Sequence, residues 1–246
     1  MPDSRHHRGP HPEDVRLFGT AESQRILRLA AGDLAWLLGR HYTPEAALTL
    51  VGNRYQLRQR QRHALRRAVA APAVARARRA RQVGPEALAG AALQVDALNQ
   101  LITIEVALAG GVLLRGHDGA WRDLASVHGT YRTVEETTMA LQALGTYLTP
   151  LGIKEVTFFI DAQVSNSGRL AGMMRTLAAA QGWPWQAILV PSADAVLRQT
   201  PEIVATSDSS ILDHAARWFG LAAAVVSWAA PQAWCVDLDV TPPTVC

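Results

Sequence analysis

The chain has 246 residues, 49% of them hydrophobic and 18% charged, so it can bury one large core or two smaller ones and is not a disordered chain. No apolar run reaches the roughly 18–20 residues of a membrane span, the charged start (Asp3, Arg5, His6, His7, Arg8) is no signal peptide, and Cys235 and Cys246 make neither a disulfide framework nor a zinc quartet, so a cytoplasmic protein with no membrane partner is expected. The net charge of +3 is split: residues 1–90 carry 16 arginines and 7 acids (+9), residues 91–246 carry 8 Lys+Arg and 14 acids (−6), which reads as a basic module joined to an acidic one.

Residues 1–19 are polar, with Pro2, Pro10 and Pro12, and read as a flexible tail. Apolar spacing at Ile26, Leu27, Leu29, Leu34, Leu37 and Leu38 predicts a helix over 21–40. Thr43 as N-cap and Pro44 at the first helical position start a second helix through Val51, which Gly52-Asn53 is expected to break. A third helix is predicted over 57–70, ended by Pro72, and a short fourth over 73–82. Residues 20–90 therefore form a basic helical domain. Between Glu45 and Glu86 there is no acid and there are ten arginines. Arg58, Arg62 and Arg66, four apart, line one helix face that suits a nucleic-acid backbone. A solvated face, or docking onto the acidic half, explains the same charge.

From Ala91 the pattern changes. Strands are predicted over 93–96, 112–114, 155–160, 186–190 and 202–205, with a further one over 223–227. Helices are predicted over 98–109, 134–148 (capped by Thr133), 169–181, 193–198 and 210–219. This alternation implies an α/β domain over 91–246 with a mostly parallel sheet and right-handed crossovers.

Asp96 follows the strand LQV, Asp161 follows VTFFI, Asp208 follows IVATS, and Asp194 lies four residues past AILV. In a parallel sheet, ligands bind outside the carboxyl ends of the strands. Carboxylates gathered there raise one another's pKa unless a cation neutralises them. Mg²⁺ or Mn²⁺, with waters completing the shell, suits such donors. An Asp after a strand is also a common helix N-cap, and that alternative stands for each acid taken singly.

On these residues the chain resembles the PIN-like nucleases. LQVDALN (93–99) is similar to the first strand of their NYN branch, where Asp is followed three residues later by Asn. FFIDA (158–162) resembles the second acidic strand of the YacP-like members, and PSADAVLRQ (191–199) with IVATSDSSIL (203–212) resembles their ending. The likeness covers roughly 93–215. It implies hydrolysis of phosphodiester bonds, usually in RNA. Asp96, Asp161 and Asp208 would hold Mg²⁺ or Mn²⁺ directly or through water, Asp194 and Asp213 would offer a further ligand, and Asn99 would hold Asp96 or a water. Glu105, nine residues after Asp96, would point back to the site or face solvent. The whole chain also resembles an uncharacterised prokaryotic family, domain of unknown function 434 followed by domain of unknown function 5616. The carrying segments are LVGNRYQLRQRQRHALRRA (50–68), DALNQLITIE (96–105), RGHDGAWRDLASVHGTYR (115–132) and DAQVSNSGRL (161–170).

The segment 115–132 departs from the NYN pattern. It gathers Asp118, Arg122, Asp123, His128, Tyr131 and Arg132, a composition that functional loops carry. His128 could transfer a proton and Arg122 could meet a phosphate; a surface histidine is the plainer alternative. Ser165 and Asn166 precede a helix and can present N–H groups to an anion, with Arg169 beside them; helix capping explains the same residues. The VDLD at 236–239 offers an isolated Asp-x-Asp pair of Toprim type without a matching glutamate strand. The expectation is a metal-dependent nuclease acting on RNA, with the basic helices holding substrate. A catalytically inactive nucleic-acid-binding regulator and a small-substrate phosphoesterase are the alternatives, and homo-oligomerisation is left open.

Overall fold

The computed structural model describes residues 7–125 and 131–239. Four helices open the chain: α1 (Ala21–Gly39), α2 (Pro44–Arg54), α3 (Gln59–Ala68) and α4 (Pro72–Arg79). The Thr20 and Thr43 hydroxyls cap α1 and α2 by accepting from the Ser23 and Ala46 N–H groups. Gly52 does not break α2, contrary to the reading of Gly52-Asn53 as a stop. A Cβ at this position would stand 2.3 Å from the Arg62 guanidinium, so glycine serves close approach inside the helix. The turn comes later, at Gln56, whose φ is +50°.

Residues 7–19, expected to be loose, are anchored at Arg8, Asp14, Leu17 and Phe18, with most of the others exposed. A π-helical turn at Val15–Gly19 buries Leu17 and Phe18. Ahead of it, the wholly buried Asp14 accepts from Arg60 Nε at 2.5 Å and Nη2 at 2.9 Å. Arg8 pairs with the buried Glu105 and lies over the Tyr131 ring.

The predicted end of the fourth helix is instead β1 (Gln82–Val83). It joins β2 (Ala92–Asp96), β5 (Glu155–Asp161), β6 (Trp185–Val190), β7 (Ile203–Ala205) and β8 (Arg217–Phe219) in a six-stranded parallel sheet of order β1-β8-β7-β2-β5-β6. A second sheet of order β4-β3-β9 comprises β3 (Leu113–Arg115), β4 (Trp121–Asp123) and β9 (Cys235–Asp237). The remaining helices are α5 (Ala97–Leu108), α6 (Glu136–Leu148), α7 (Ser167–Gln181), α8 (Ala193–Leu197), α9 (Ser209–Leu212) and α10 (Leu221–Ala229).

Several expectations fail here for identifiable reasons. The helix expected over 210–219 stops at Leu212, because Trp218 is needed as a strand residue: it is wholly buried and donates Nε1–H to the Arg78 carbonyl at 2.6 Å. The strand expected over 223–227 is helix α10; it buries Leu221, Ala222, Val225 and Val226 at helical spacing inside a run too uniformly apolar to show its period. Thr133 does not cap α6. Thr137 accepts the Val134 N–H at 3.0 Å instead. The strand after α5 pairs in the second sheet, not in the main one.

Side-chain alternation sets the layers. Leu93, Val95, Val156, Phe158, Ile160, Ile203 and Ala205 face one core with α5, α6, α7 and α10. Phe159, Val204 and Trp218 face the other, with α8 and α9. The small sheet forms the seam: Leu113 packs into the main core, while Val112 and Leu114 pack against α1–α3. The basic helices and the α/β part therefore share buried side chains rather than a linker. Among the described residues no helix is long and apolar enough to cross a membrane.

One close contact tests the packing under α6. A Cβ on Gly145 would fall 2.0 Å from the Trp183 indole, which itself packs on Trp185 at 4.6 Å between ring centroids. Alanine is favoured over glycine in a helix by about 1 kcal/mol, but overpacking a ring costs about 1–3 kcal/mol. Gly145→Ala is expected to destabilise the protein by about 1 kcal/mol in urea unfolding and to shift tryptophan fluorescence. Stabilisation would show that Trp183 is free to move aside.

Candidate functional site

Strand β2 is the switch point of the main sheet. Its successors β5 and β6 build outward on one side, and β7 and β8 return to the other. The crevice between the C-terminal ends of β2 and β7 is where this topology binds ligands. Asp96 ends β2 there, and β2–β7 pairing sets Ala205 opposite Val95, so Thr206 comes next to Asp96. Asp96 Oδ2 accepts from the Thr206 hydroxyl at 3.0 Å, and Oδ1 accepts from the Asn99 N–H at 3.4 Å.

Parity along the strands sends Asp96 and Asp161 to the side of the sheet where α8 and α9 lie. Asp161 accepts the Ala193 N–H at 2.8 Å, at the start of α8. Because Asp96 pairs with Phe159, Asp161 lies two residues, roughly 7 Å, further along the strand direction. Asp208 caps α9, accepting from the Ser210 N–H at 2.7 Å and the Ser210 hydroxyl at 2.5 Å. Asp194 sits in the first turn of α8 with Arg198 beside it at 3.3 Å, and Arg198 also donates to the Ser210 hydroxyl at 2.6 Å.

The four acids interact electrostatically although several also serve as caps. Burial pushes the Asp96 carboxyl up to about 7, with Asp194 and Asp208 adding to the rise and the Thr206 hydroxyl opposing it. Asp194 is raised by burial and by Asp208 and Asp161, against the pull of Arg198. Among the described residues no three His, Cys, Asp or Glu side chains are gathered closely enough to chelate one ion directly. Carboxylates that do not converge on one point leave a water-mediated contact as the way they would meet a divalent cation, and Mg²⁺ is one that keeps several of its waters.

Asn99 lies three residues past Asp96, in the first turn of α5. Its Oδ1 accepts from the Ser207 N–H at 2.8 Å, the Ser207 hydroxyl at 3.0 Å and Gln100 Nε2 at 2.7 Å, tying α5 to the loop after β7. Behind that loop lies a buried ion cluster that sequence reasoning did not assemble. Asp118 accepts from Arg122 Nη1 at 2.8 Å, Arg122 Nη2 at 2.6 Å and Arg78 Nη1 at 2.8 Å. Arg122 Nε donates to the Ser207 carbonyl at 2.9 Å, and Arg78 donates to the Ser209 hydroxyl and carbonyl. Arg78 also pairs with Asp213 at 2.8 Å. Asp213 and Arg122 are thus engaged in this brace rather than facing the crevice.

The other expected residues fall elsewhere. Asn166 adopts φ +68° and donates Nδ2–H to the Tyr131 carbonyl at 2.8 Å; the Ser165 carbonyl accepts the Tyr131 N–H. Arg169 is exposed on α7. Arg62 donates to the Leu57 carbonyl and to Asn53, Arg66 lies 3.8 Å from Glu45, and Arg58 is exposed at the start of α3. Asp237 and Asp239 of the VDLD pair with Arg115 and Arg79. Glu105 neither reaches the crevice nor meets solvent: it is wholly buried against Tyr131, Thr137 and Arg8. His128 lies outside the described residues.

The fold and crevice define a class: a parallel α/β domain, completed by a basic helical segment, with interacting carboxylates at its switch point. The model of a family described as "Domain of unknown function (DUF5616)" matches residues 85–224, and that of "Protein of unknown function (DUF434)" matches 26–81. The chain belongs to the DUF5616 family, with the DUF434 segment ahead of it. An uncharacterized protein of Methanocaldococcus jannaschii is 30% identical over 183 residues, which span 74% of this chain and 87% of that protein. No solved structure matches the chain.

Proposed function

We propose that the protein is a metal-dependent phosphodiesterase acting on RNA, with its site in the crevice between β2 and β7. The observation that carries this reading is Asp96: a buried carboxyl at the switch point, its acidity suppressed by burial and by Asp194 and Asp208. A divalent cation bound there would supply charge neutralisation on the phosphate and a water of lowered pKa. Asp96, Asp161, Asp194 and Asp208 would hold it chiefly through its bound waters. Thr206 and Asn99 fix Asp96 and the following loop before substrate arrives. Arg198, hydrogen-bonded to Ser210 and ion-paired with Asp194, is placed to meet a phosphate that the acids alone would repel.

The test compares labelled RNA and DNA incubated with Mn²⁺ or EDTA. Cleavage of RNA with Mn²⁺, abolished by EDTA and reduced at least about 100-fold in Asp208→Asn, is the expected result. Turnover of small phosphoesters alone would move the activity to a small substrate. Metal-independent RNA binding without cleavage would favour an inactive binding protein.

A further inference from the structure

We propose that the groove between the N-terminal segment and α3 holds the backbone of single-stranded RNA. This deepens the nuclease reading by giving its substrate a path, and it is tested without cleavage. The groove has a volume of about 670 Å³ and is lined by His11, Arg16, Arg58, Arg60 and His63, with Glu13 the acid among its lining residues. The outer face of α3 is a poorer candidate. Arg62 is held by the Leu57 carbonyl and Asn53, and of Arg58, Arg62 and Arg66 only Arg58 lines the groove.

The groove walls are fixed before any ligand arrives. Buried Asp14 grips the Arg60 guanidinium with both oxygens, and Oδ2 also accepts the His11 N–H at 2.8 Å. This latches the N-terminal segment to α3, so little order remains to be paid for on binding. Arg16 meets Glu13 in an exposed ion pair, a contact of the weak kind that a phosphate can displace. His63 sits half-buried among Arg67, Arg60 and Arg66; burial first, and then these charges, push its imidazole pKa down. Imidazole rings offer flat faces on which bases stack, and guanidiniums follow the phosphates. His63 also lies within electrostatic reach of Asp123, which accepts from Thr103 one turn past Asn99 on α5.

Fluorescence anisotropy of a labelled oligoribonucleotide of about 12 nucleotides, in EDTA, tests the assignment. Arg16→Ala/Arg58→Ala is expected to weaken binding about tenfold or more and to lower the salt slope by about 1.4, the share of two single-strand phosphate contacts. Both side chains are exposed, so thermal melts should match the wild type. The control Arg25→Ala/Arg28→Ala removes the same charge from exposed positions on α1 and should change affinity less than about twofold. Equal loss in both pairs, tighter binding of a duplex, or no binding by the wild type would overturn the proposal. Wild-type binding without cleavage under Mn²⁺ would leave the groove standing and reject the nuclease reading.

Discussion

Asp118→Ala is expected to destabilise the protein by about 3–5 kcal/mol, the cost of stripping the shared partner from buried guanidiniums. Asp118 is 1% exposed and holds Arg122 with both oxygens and Arg78 with one. Without it, among the described residues Arg122 keeps the Ser207 carbonyl and a long contact to the Ser209 hydroxyl, neither of which carries charge. Arg78 keeps Asp213, which is 43% exposed at its side chain. The matching change Asp213→Ala should therefore cost less than about 1 kcal/mol. The contrast separates the buried half of the cluster from its wet half. Urea unfolding reads both, and a loss below about 1 kcal/mol in Asp118→Ala would show that the cluster is not braced as described.

The same carboxylate predicts acid sensitivity. The two guanidiniums hold Asp118 down to about 2 in spite of its burial. A depressed folded-state pKa gives stability that is full above the unfolded value near 4 and lost as pH falls through the folded value. Wild-type stability should thus drop by about 2 kcal/mol between pH 4 and pH 2 through this group, and the gap to Asp118→Ala should narrow over the same window.

The central strands were legible because each carries a dense apolar run closed by an acid: LQVD and VTFFID are strands that end at Asp96 and Asp161. Helix starts with a threonine cap and a following proline were equally plain, as at Thr43-Pro44. What stayed hidden was set by distant partners. Gln82-Val83 is too short to show a period and exists as strand because β8 lies alongside. Arg78 looked like one of ten basic residues on a solvated face, yet it is buried, because Asp118 and Asp213 lie 40 and 135 positions further along the chain. Arg62 gave the same false signal, since helical spacing shows which residues share a face but not what covers it. Within the crevice the acids were found from strand ends, whereas Thr206 as the partner of Asp96 depended on strand order, which no local pattern contains.

Asp96→Asn is expected to abolish metal-dependent cleavage, at least about 100-fold, and at the same time to stabilise the metal-free protein. Those two effects have one cause. The Asp96 carboxyl is 7% exposed and is raised to about 7 by burial and by Asp194 and Asp208. A raised folded-state pKa means that stability is full below the unfolded value near 4 and falls as pH climbs through about 7. At pH 8 in EDTA the ionised carboxylate therefore costs on the order of 4 kcal/mol, which an uncharged asparagine relieves while its Oδ1 still accepts from the Thr206 hydroxyl or the Asn99 N–H. At pH 4 the wild-type group is protonated in the fold and the two proteins should melt together. Thermal melts of both proteins at pH 4 and pH 8 in EDTA, paired with the RNA cleavage assay, read the two arms separately. A variant that loses activity but gains nothing at pH 8 would show that Asp96 does not feel its acidic neighbours, and the crevice would then have no electrostatic reason to take up a cation.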